Sequence, residues 1–234
     1  RLAVFAGGFT PESASAVIDL TVSDSRDAQP APVDELTLAL FSLVDKNLVR
    51  RAGRGTEARF ELLETIREFG LEQLIANGEL ERARHAHAVS FRLLVELARD
   101  ALSGPEQVDW FDRLEREHDN LRAALDWAAE CGDAELALRL SGGLWRFWMA
   151  RSYLVEGRAQ LERALALPAT DRSTTARAVA LARAGDLARR CGDLDAANLR
   201  FQESLAICQQ IGNRQEEAWV HTELGCLALA RQEY

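Results

Sequence analysis

The chain has 234 residues, 47% of them apolar and 28% charged, which is enough to bury one large or two modest cores and excludes a disordered chain. Lysine and arginine number 28 against 37 acidic residues, a formal net charge of −9. Neither half is basic, since residues 1–99 carry 12 cations against 15 anions and residues 100–234 carry 16 against 22, so a basic nucleic-acid module is excluded.

Residues 1–78 form one pattern. Apolar spacing at Leu2, Ala3, Val4 and Phe5 predicts a short helix, and Thr10-Pro11-Glu12 opens a second over Ser13 to Leu20, with Thr10 as N-cap and Pro11 in the first turn. A loop holding Pro30 and Pro32 follows. Leu36, Leu40, Phe41, Leu43 and Val44 then place a third helix over Val33 to Lys46. Leu48 to Arg51, a turn at Gly53 and Gly55, and Ala58 to Leu62 predict strand, turn and strand. Three helices closed by a β-hairpin make a winged helix.

From Glu64 onward the pattern is helical. Breaks fall at Asn77-Gly78, Ser103-Gly104-Pro105, Cys131-Gly132-Asp133, Ser152, Leu167-Pro168, Gly192-Asp193 and Gly212-Asn213, and each gap between them is one helix long. At a period of 40, Ser152, Gly192 and Gln232 align, as do Gly157 with Ala197, Leu161 with Phe201, Leu165 with Leu205 and Gly185 with Gly225. The spacing of Leu181, Ala184, Gly185, Ala188, Ala197, Phe201 and Leu205 resembles the tetratricopeptide repeat (TPR) in a longer form. A second copy, Trp219 to Tyr234, is cut short. The expected fold is mainly α: a winged-helix domain over 1–78 with a small β-hairpin, a helical connector over 79–131, and a TPR-like α-superhelix over 132–234. A chain that starts at Arg1 and stops inside a repeat is expected to be part of a longer protein.

Several strings carry a wider resemblance: Leu2 to Thr10, Leu43 to Val49, Phe60 to Phe69, Glu117 to Leu125, and Leu144-Trp145-Arg146-Phe147-Trp148. Together they resemble the region after the nucleotide-binding domain of bacterial STAND-class, NB-ARC-like regulatory ATPases, among them LuxR-type and antibiotic-regulatory (SARP-type) activators and some adenylate cyclases. The resemblance implies an upstream domain that binds ATP or ADP with Mg, a winged helix that gates it in cis, and a TPR-like array that senses an inducer ligand or a protein. It also implies DNA binding only through a separate output domain. The rival expectation is a TPR scaffold for protein–protein interaction without a nucleotide switch. A phosphate loop needs a Lys after its glycines, and the one Lys, Lys46, follows no glycine run, so the chain is expected to hold no cofactor and not to be an enzyme. Many relatives carry a Met-His-Asp string after the second wing strand; here the stretch is Leu62-Leu63-Glu64, and Leu63 cannot donate a hydrogen bond.

Arg50, Arg51, Arg54 and Arg59 crowd the hairpin, but the helix that would enter a DNA groove offers Asp34, Glu35 and Asp45 against Lys46. Arg50, Arg51, Arg54, Glu64 and Arg67 are therefore assigned to an interdomain face. His85 and His87 sit two apart on a helix and point to different faces, unlike a metal pair. His118 and His221 lack a nucleophile at recognisable spacing. Cys131, Cys191, Cys208 and Cys226 lack metal-ligand spacing, and there is no signal peptide or apolar run of about 18 residues. A cytoplasmic protein with reduced thiols and no membrane partner is expected. Trp145 and Trp148 share a helix face, as core or as the wall of a groove. By analogy with TPR grooves, the partner or ligand face is assigned to Arg139, Arg146, Asp186, Arg189, Trp219 and Thr222.

Overall fold

A computed structural model describes residues 1–22, 33–52, 58–169, 171 and 173–231, with the backbone alone at 22 and 33–35. Pro30, Pro32, Gly53, Arg54, Gly55, Gln232 and Tyr234 lie outside these residues, so the loop, turn, wing and cut-copy positions assigned to them are not described. The described protein is mainly α-helical with one small antiparallel hairpin, and it divides into two compact units. The first comprises Arg1–Leu94 with Asp112–Trp127, the second Val95–Phe111 with Ala128–Tyr234.

In the first unit a 3₁₀ turn over Leu2–Val4 precedes helix α1, Pro11–Val22. The start of α1 is fixed by a reciprocal cap. Thr10 Oγ1 accepts from the Ser13 N–H at 3.2 Å while Ser13 Oγ accepts from the Thr10 N–H at 3.0 Å, a capping box with Ser in the place usually held by Glu. Helix α2 spans Val33–Asp45, and strands β1 (Val49–Ala52) and β2 (Arg59–Leu62) pair antiparallel with Val49 opposite Leu62 and Arg50 opposite Glu61. Phe9 adds an isolated bridge to Phe60, each N–H donating to the other's carbonyl at 2.8 Å. That bridge draws Phe9, Phe60 and Leu40 into a core with no exposure. The second and third helices and the hairpin stand where they were expected, whereas the helix expected over Leu2 to Phe5 is the 3₁₀ turn.

Helix α3, Glu64–Ala76, ends at Asn77 and Gly78, whose φ of +68° suits glycine, and α4, Leu80–Ala101, follows. The stretch between Pro105 and Cys131, expected as one helix, is two: α5, Gln107–Arg116, and α6, His118–Glu130. Glu117 stands between them with its carboxylate turned inward, for a reason given below.

The second unit is built from helical hairpins: α7 (Ala134–Ala150) with α8 (Leu154–Ala166), α9 (Thr175–Arg190) with α10 (Leu194–Ile211), and α11 (Arg214–Arg231). Three turns share one chemistry. Gly132, Gly192 and Gly212 take φ of +77°, +83° and +72°, and the next residues, Asp133, Asp193 and Asn213, cap the following helix by accepting from Leu136, Ala196 and Glu216 N–H groups at 3.0, 3.1 and 3.2 Å. Within the hairpins, large and small partners change sides. Trp148 of α7 lies on Gly157 of α8, whereas Gly185 of α9 receives Phe201 of α10; a methyl group on Gly157 would stand 2.6 Å from the indole and one on Gly185 2.7 Å from the phenyl ring. Gly225, the period-40 counterpart of Gly185, has nothing within 4 Å of such a methyl among the described residues, so the close contact expected at both glycines is found at Gly185 alone.

Gly185→Leu should therefore overpack the α9–α10 contact and lower stability by roughly 1–3 kcal/mol, while Gly225→Leu leaves it near the wild-type value. Thermal denaturation of the two variants side by side checks this; equal melting temperatures would remove the packing role assigned to Gly185.

Candidate functional site

Two polar constellations stand out, one in each unit. In the first unit the turn at Ala6, Gly7 and Gly8 is held by side chains far away in sequence. Asn120, with no exposure, accepts through Oδ1 from Ala6 N–H at 2.8 Å and donates through Nδ2 to the Gly8 carbonyl at 2.8 Å and to Glu117 at 2.7 Å. Arg59, placed by β2, pairs with the Glu117 carboxylate and donates to the carbonyls of Gly7 at 2.8 Å and Arg116 at 2.9 Å. The turn of Glu117 toward Arg59 is what separates α5 from α6.

His87 lies beside this clamp, packed on Phe5 and Phe91 with ring centroids at 5.1 and 4.6 Å. Burial pushes its pKa down from 6.5 to about 4, with Asn120 opposing the shift. His85 is exposed and meets Trp127 edge-on, so the two histidines do face apart; among the described residues no group of His, Cys, Asp and Glu could hold a metal ion.

The residues assigned to the interdomain face are scattered in role. Arg50 pairs with Glu61 across the strands at 2.7 Å, Glu64 and Arg67 pair with each other at 2.7 Å, Arg51 is exposed, and Arg54 lies outside the described residues. The Arg67 hydrogen bond holds the Glu64 carboxyl below its usual range. Beside α3, Leu43, Leu48, Leu62, Ile66 and Phe69 line an apolar cleft of about 230 Å³. The exposed side chains of α2 among the described residues are Leu38, Ala39, Phe41, Ser42 and Asp45, none of them a cation.

In the second unit the first helices of the hairpins, α7, α9 and α11, share a charged and aromatic network. Its hub is Asp186, wholly buried on α9, which accepts from Trp145 Nε1 at 2.9 Å, from Arg189 at 2.6 Å and from Arg190 at 3.0 Å. Arg189 also reaches Glu223 of α11 at 3.1 Å. Arg183 pairs with Glu216 at 3.0 Å and lies over two indoles, its Cζ 3.8 Å from the Trp219 centroid and 4.9 Å from that of Trp145. The two indoles meet edge-on at 5.7 Å, and Arg146 covers Trp145 at 5.1 Å. Desolvation raises the Glu223 carboxyl above its usual range, with the Asp186 charge adding to the effect.

Of the six residues assigned to the groove, the network holds Arg146, Asp186, Arg189 and Trp219. Arg139 instead pairs with Glu135 on its own helix at 2.8 Å and with Glu96 at 3.7 Å, and Thr222 donates to the Ala218 carbonyl on its own helix. Arg183, Arg190, Glu216 and Glu223 were not in that assignment. A signal for them exists in the sequence: opposite charges 33 to 38 residues apart, as in Arg183 with Glu216, Arg189 with Glu223, Arg158 with Asp193 and Arg200 with Glu162. Such pairs link neighbouring hairpins, whereas the period of 40 aligns equivalent positions.

Comparison with known proteins places three mycobacterial relatives beside this chain. A protein of Mycobacterium bovis and two of Mycobacterium tuberculosis, from strains CDC 1551 and H37Rv, each named "Putative HTH-type transcriptional regulator", are 38% identical to it over 159 residues. The match takes in 67% of this chain but only 17% of each relative. No family model and no solved structure matches.

Two stability measurements test the constellations. Because the unfolded chain takes up the His87 proton near pH 6.5 and the folded chain only near 4, the unfolded state binds more protons between those values, and stability falls as the pH drops from 6.5 to 4. The loss approaches about 3 kcal/mol. Denaturant titrations across that range should show a shallower pH slope for His87→Phe than for wild type; identical slopes would contradict the assignment. Asp186→Ala, which leaves a buried indole N–H unpaired and two arginines short of a carboxylate, should cost about 3–5 kcal/mol, and Arg190→Ala, at a half-exposed guanidinium, under about 1 kcal/mol. A smaller loss for Asp186→Ala than for Arg190→Ala in equilibrium unfolding would show that Asp186 is not the hub.

Proposed function

We propose that this chain is the regulatory part of a signal-responsive transcriptional regulator of the STAND ATPase class. In this reading the winged helix gates an upstream nucleotide-binding domain in cis, and the TPR-like hairpins receive a ligand or a protein partner. The observation that carries it is the similarity to the mycobacterial regulators, whose matched stretch is about a sixth of their own length. Proteins of that length have room for a nucleotide domain and a DNA-reading domain elsewhere. ATP or ADP with Mg would be held upstream, because Lys46 is exposed at the end of α2 and follows no glycine-rich loop. The apolar cleft beside α3 supports an interdomain contact of the winged helix, and the lack of a cation among the described exposed side chains of α2 supports DNA recognition by a separate output domain. No helix among the described residues is long and apolar enough to cross a membrane, in keeping with a cytoplasmic regulator. One observation favours the rival reading of a scaffold without a switch: most charges of the α7, α9 and α11 network are already paired with one another.

Calorimetric titration tests the reading. The chain alone should give no micromolar affinity for ATP or ADP, and a longer protein that includes the upstream region should bind both. In that longer protein several glycines inserted at Gly78 should leave ATP binding intact and abolish the acceleration of nucleotide exchange by the signal. An exchange response unchanged by the insertion would make the winged helix a passive spacer and favour the scaffold.

A further inference from the structure

The charges on the α7, α9 and α11 face do not balance. Four guanidinium groups, Arg146, Arg183, Arg189 and Arg190, face three carboxylates, Asp186, Glu216 and Glu223. Pairing uses up three arginines: Arg183 on Glu216, Arg189 on Asp186 and Glu223, Arg190 on Asp186. Arg146 is left over. It is exposed, it has no carboxylate partner among the described residues, and its contact is the face of Trp145. Hydrogen-bonding capacity is uneven in the same sense. Arg189 Nε is a buried donor without an acceptor; Arg183 Nη1 and Glu216 Oε1, 3.0 Å apart, are both unpaired and so add no net donor. Arg146 also bears on Arg183, whose guanidinium is stripped of solvent by burial and shares the Trp145 ring with this second positive charge.

A surface with one surplus, exposed guanidinium lying over an indole is complementary to a carboxylate on a short apolar stem. We propose that this face docks an acidic segment of a protein partner, with a Glu or Asp carboxylate held by Arg146 over Trp145. The inference rests on the reading of the hairpins as a receiving surface and names the chemistry of what they receive. A nucleic acid fits poorly, because a chain of net charge −9 repels a ligand bearing one charge per phosphate more than a peptide that needs one carboxylate. Arg146 lies on the open surface, so a single small acid would be covered on one side only, and binding strength has to come from the length of an extended segment.

The test uses this chain with two dye-labelled, end-blocked peptides of alanine and serine, one carrying a single central glutamate and one with glutamine in its place, read by fluorescence anisotropy. The glutamate peptide should bind and the glutamine peptide should bind at least about fivefold more weakly. Arg146→Ala, at an exposed position, should keep the wild-type melting temperature and lose about tenfold in affinity for the glutamate peptide, with Arg146→Lys in between. Arg99→Ala, an exposed change on α4, should bind as wild type does. Absence of binding by the wild type, equal binding of the two peptides, or no effect of Arg146→Ala would each overturn the proposal. The receiving-surface reading fails separately. If Arg146→Ala and Trp219→Ala weaken the signal response of the longer protein while the glutamate peptide is ignored, the surface receives something other than an acidic segment. If the peptide binds through Arg146 and the signal response is untouched by both variants, the acidic docking stands and the sensing role falls.

Discussion

The first unit depends on a single buried arrangement, the turn at Gly7 and Gly8 held between Asn120, Glu117 and Arg59. Both glycines are required by space. A methyl group on Gly7 would meet the Asp119 side chain at 2.9 Å, and one on Gly8, where φ is +80°, would meet the Phe60 carbonyl at 2.8 Å. Asn120 satisfies both a backbone donor and a backbone acceptor of the turn at once, and Arg59 shares that acceptor, Gly8, and reaches two more carbonyls, of Gly7 and Arg116, while neutralising Glu117. An ion pair so little exposed costs several kcal/mol in desolvation, and its attraction offsets that cost only when the remaining lone pairs and protons are used. Here they are used on the backbone, so the pair fixes where the turn, the β2 strand and the start of α6 stand with respect to one another.

The second unit solves a different problem, the stacking of helices with similar sequences. Exchanging the large partner between first and second helix, Trp148 on Gly157 in one hairpin and Phe201 on Gly185 in the next, lets each ring fill space that the other helix leaves free. Trp145 would then carry an unpaired indole N–H into the interior, and Asp186 accepts it. A buried carboxylate in turn demands cations, which Arg189 and Arg190 supply from the next turn of the same helix. The charge on α9 is in this sense a consequence of the tryptophan on α7.

Local signals were legible and nonlocal ones were not. Thr10 with Pro11, the hairpin, and the Gly-Asp turns at 132–133 and 192–193 were recoverable because each is decided by a few adjacent residues. The break at Glu117 was missed because nothing in Arg116-Glu117-His118 disfavours a helix; it is imposed by Arg59, 58 residues earlier. The first helix read over Leu2 to Phe5 is a 3₁₀ turn over Leu2–Val4, too short to complete α-helical hydrogen bonds before Gly7. In the groove, Arg139 and Thr222 carried the right helical spacing, yet each found a partner on its own helix, a competition that a face assignment from periodicity does not register.

The distribution of charge also bears on which macromolecules this chain can meet. A helix that reads DNA places cations and hydrogen-bonding side chains toward the groove, and α2 turns Leu38 and Phe41 outward instead. Of the hairpin arginines, Arg50 is neutralised by Glu61 and Arg59 is committed to Glu117, while Arg51 is exposed. Among the described residues of the first unit, exposed apolar side chains gather on α2 at Leu38 and Phe41 and on α3 at Phe69 and Ile75, a surface suited to another protein and not to phosphate. On the second unit Arg183, Arg189 and Arg190 are spent on the buried carboxylates of Asp186 and Glu216. Beside these paired arginines, the exposed guanidinium of Arg146 on the Trp145 ring is a distinguishable feature, because the charges next to it are already matched by carboxylates.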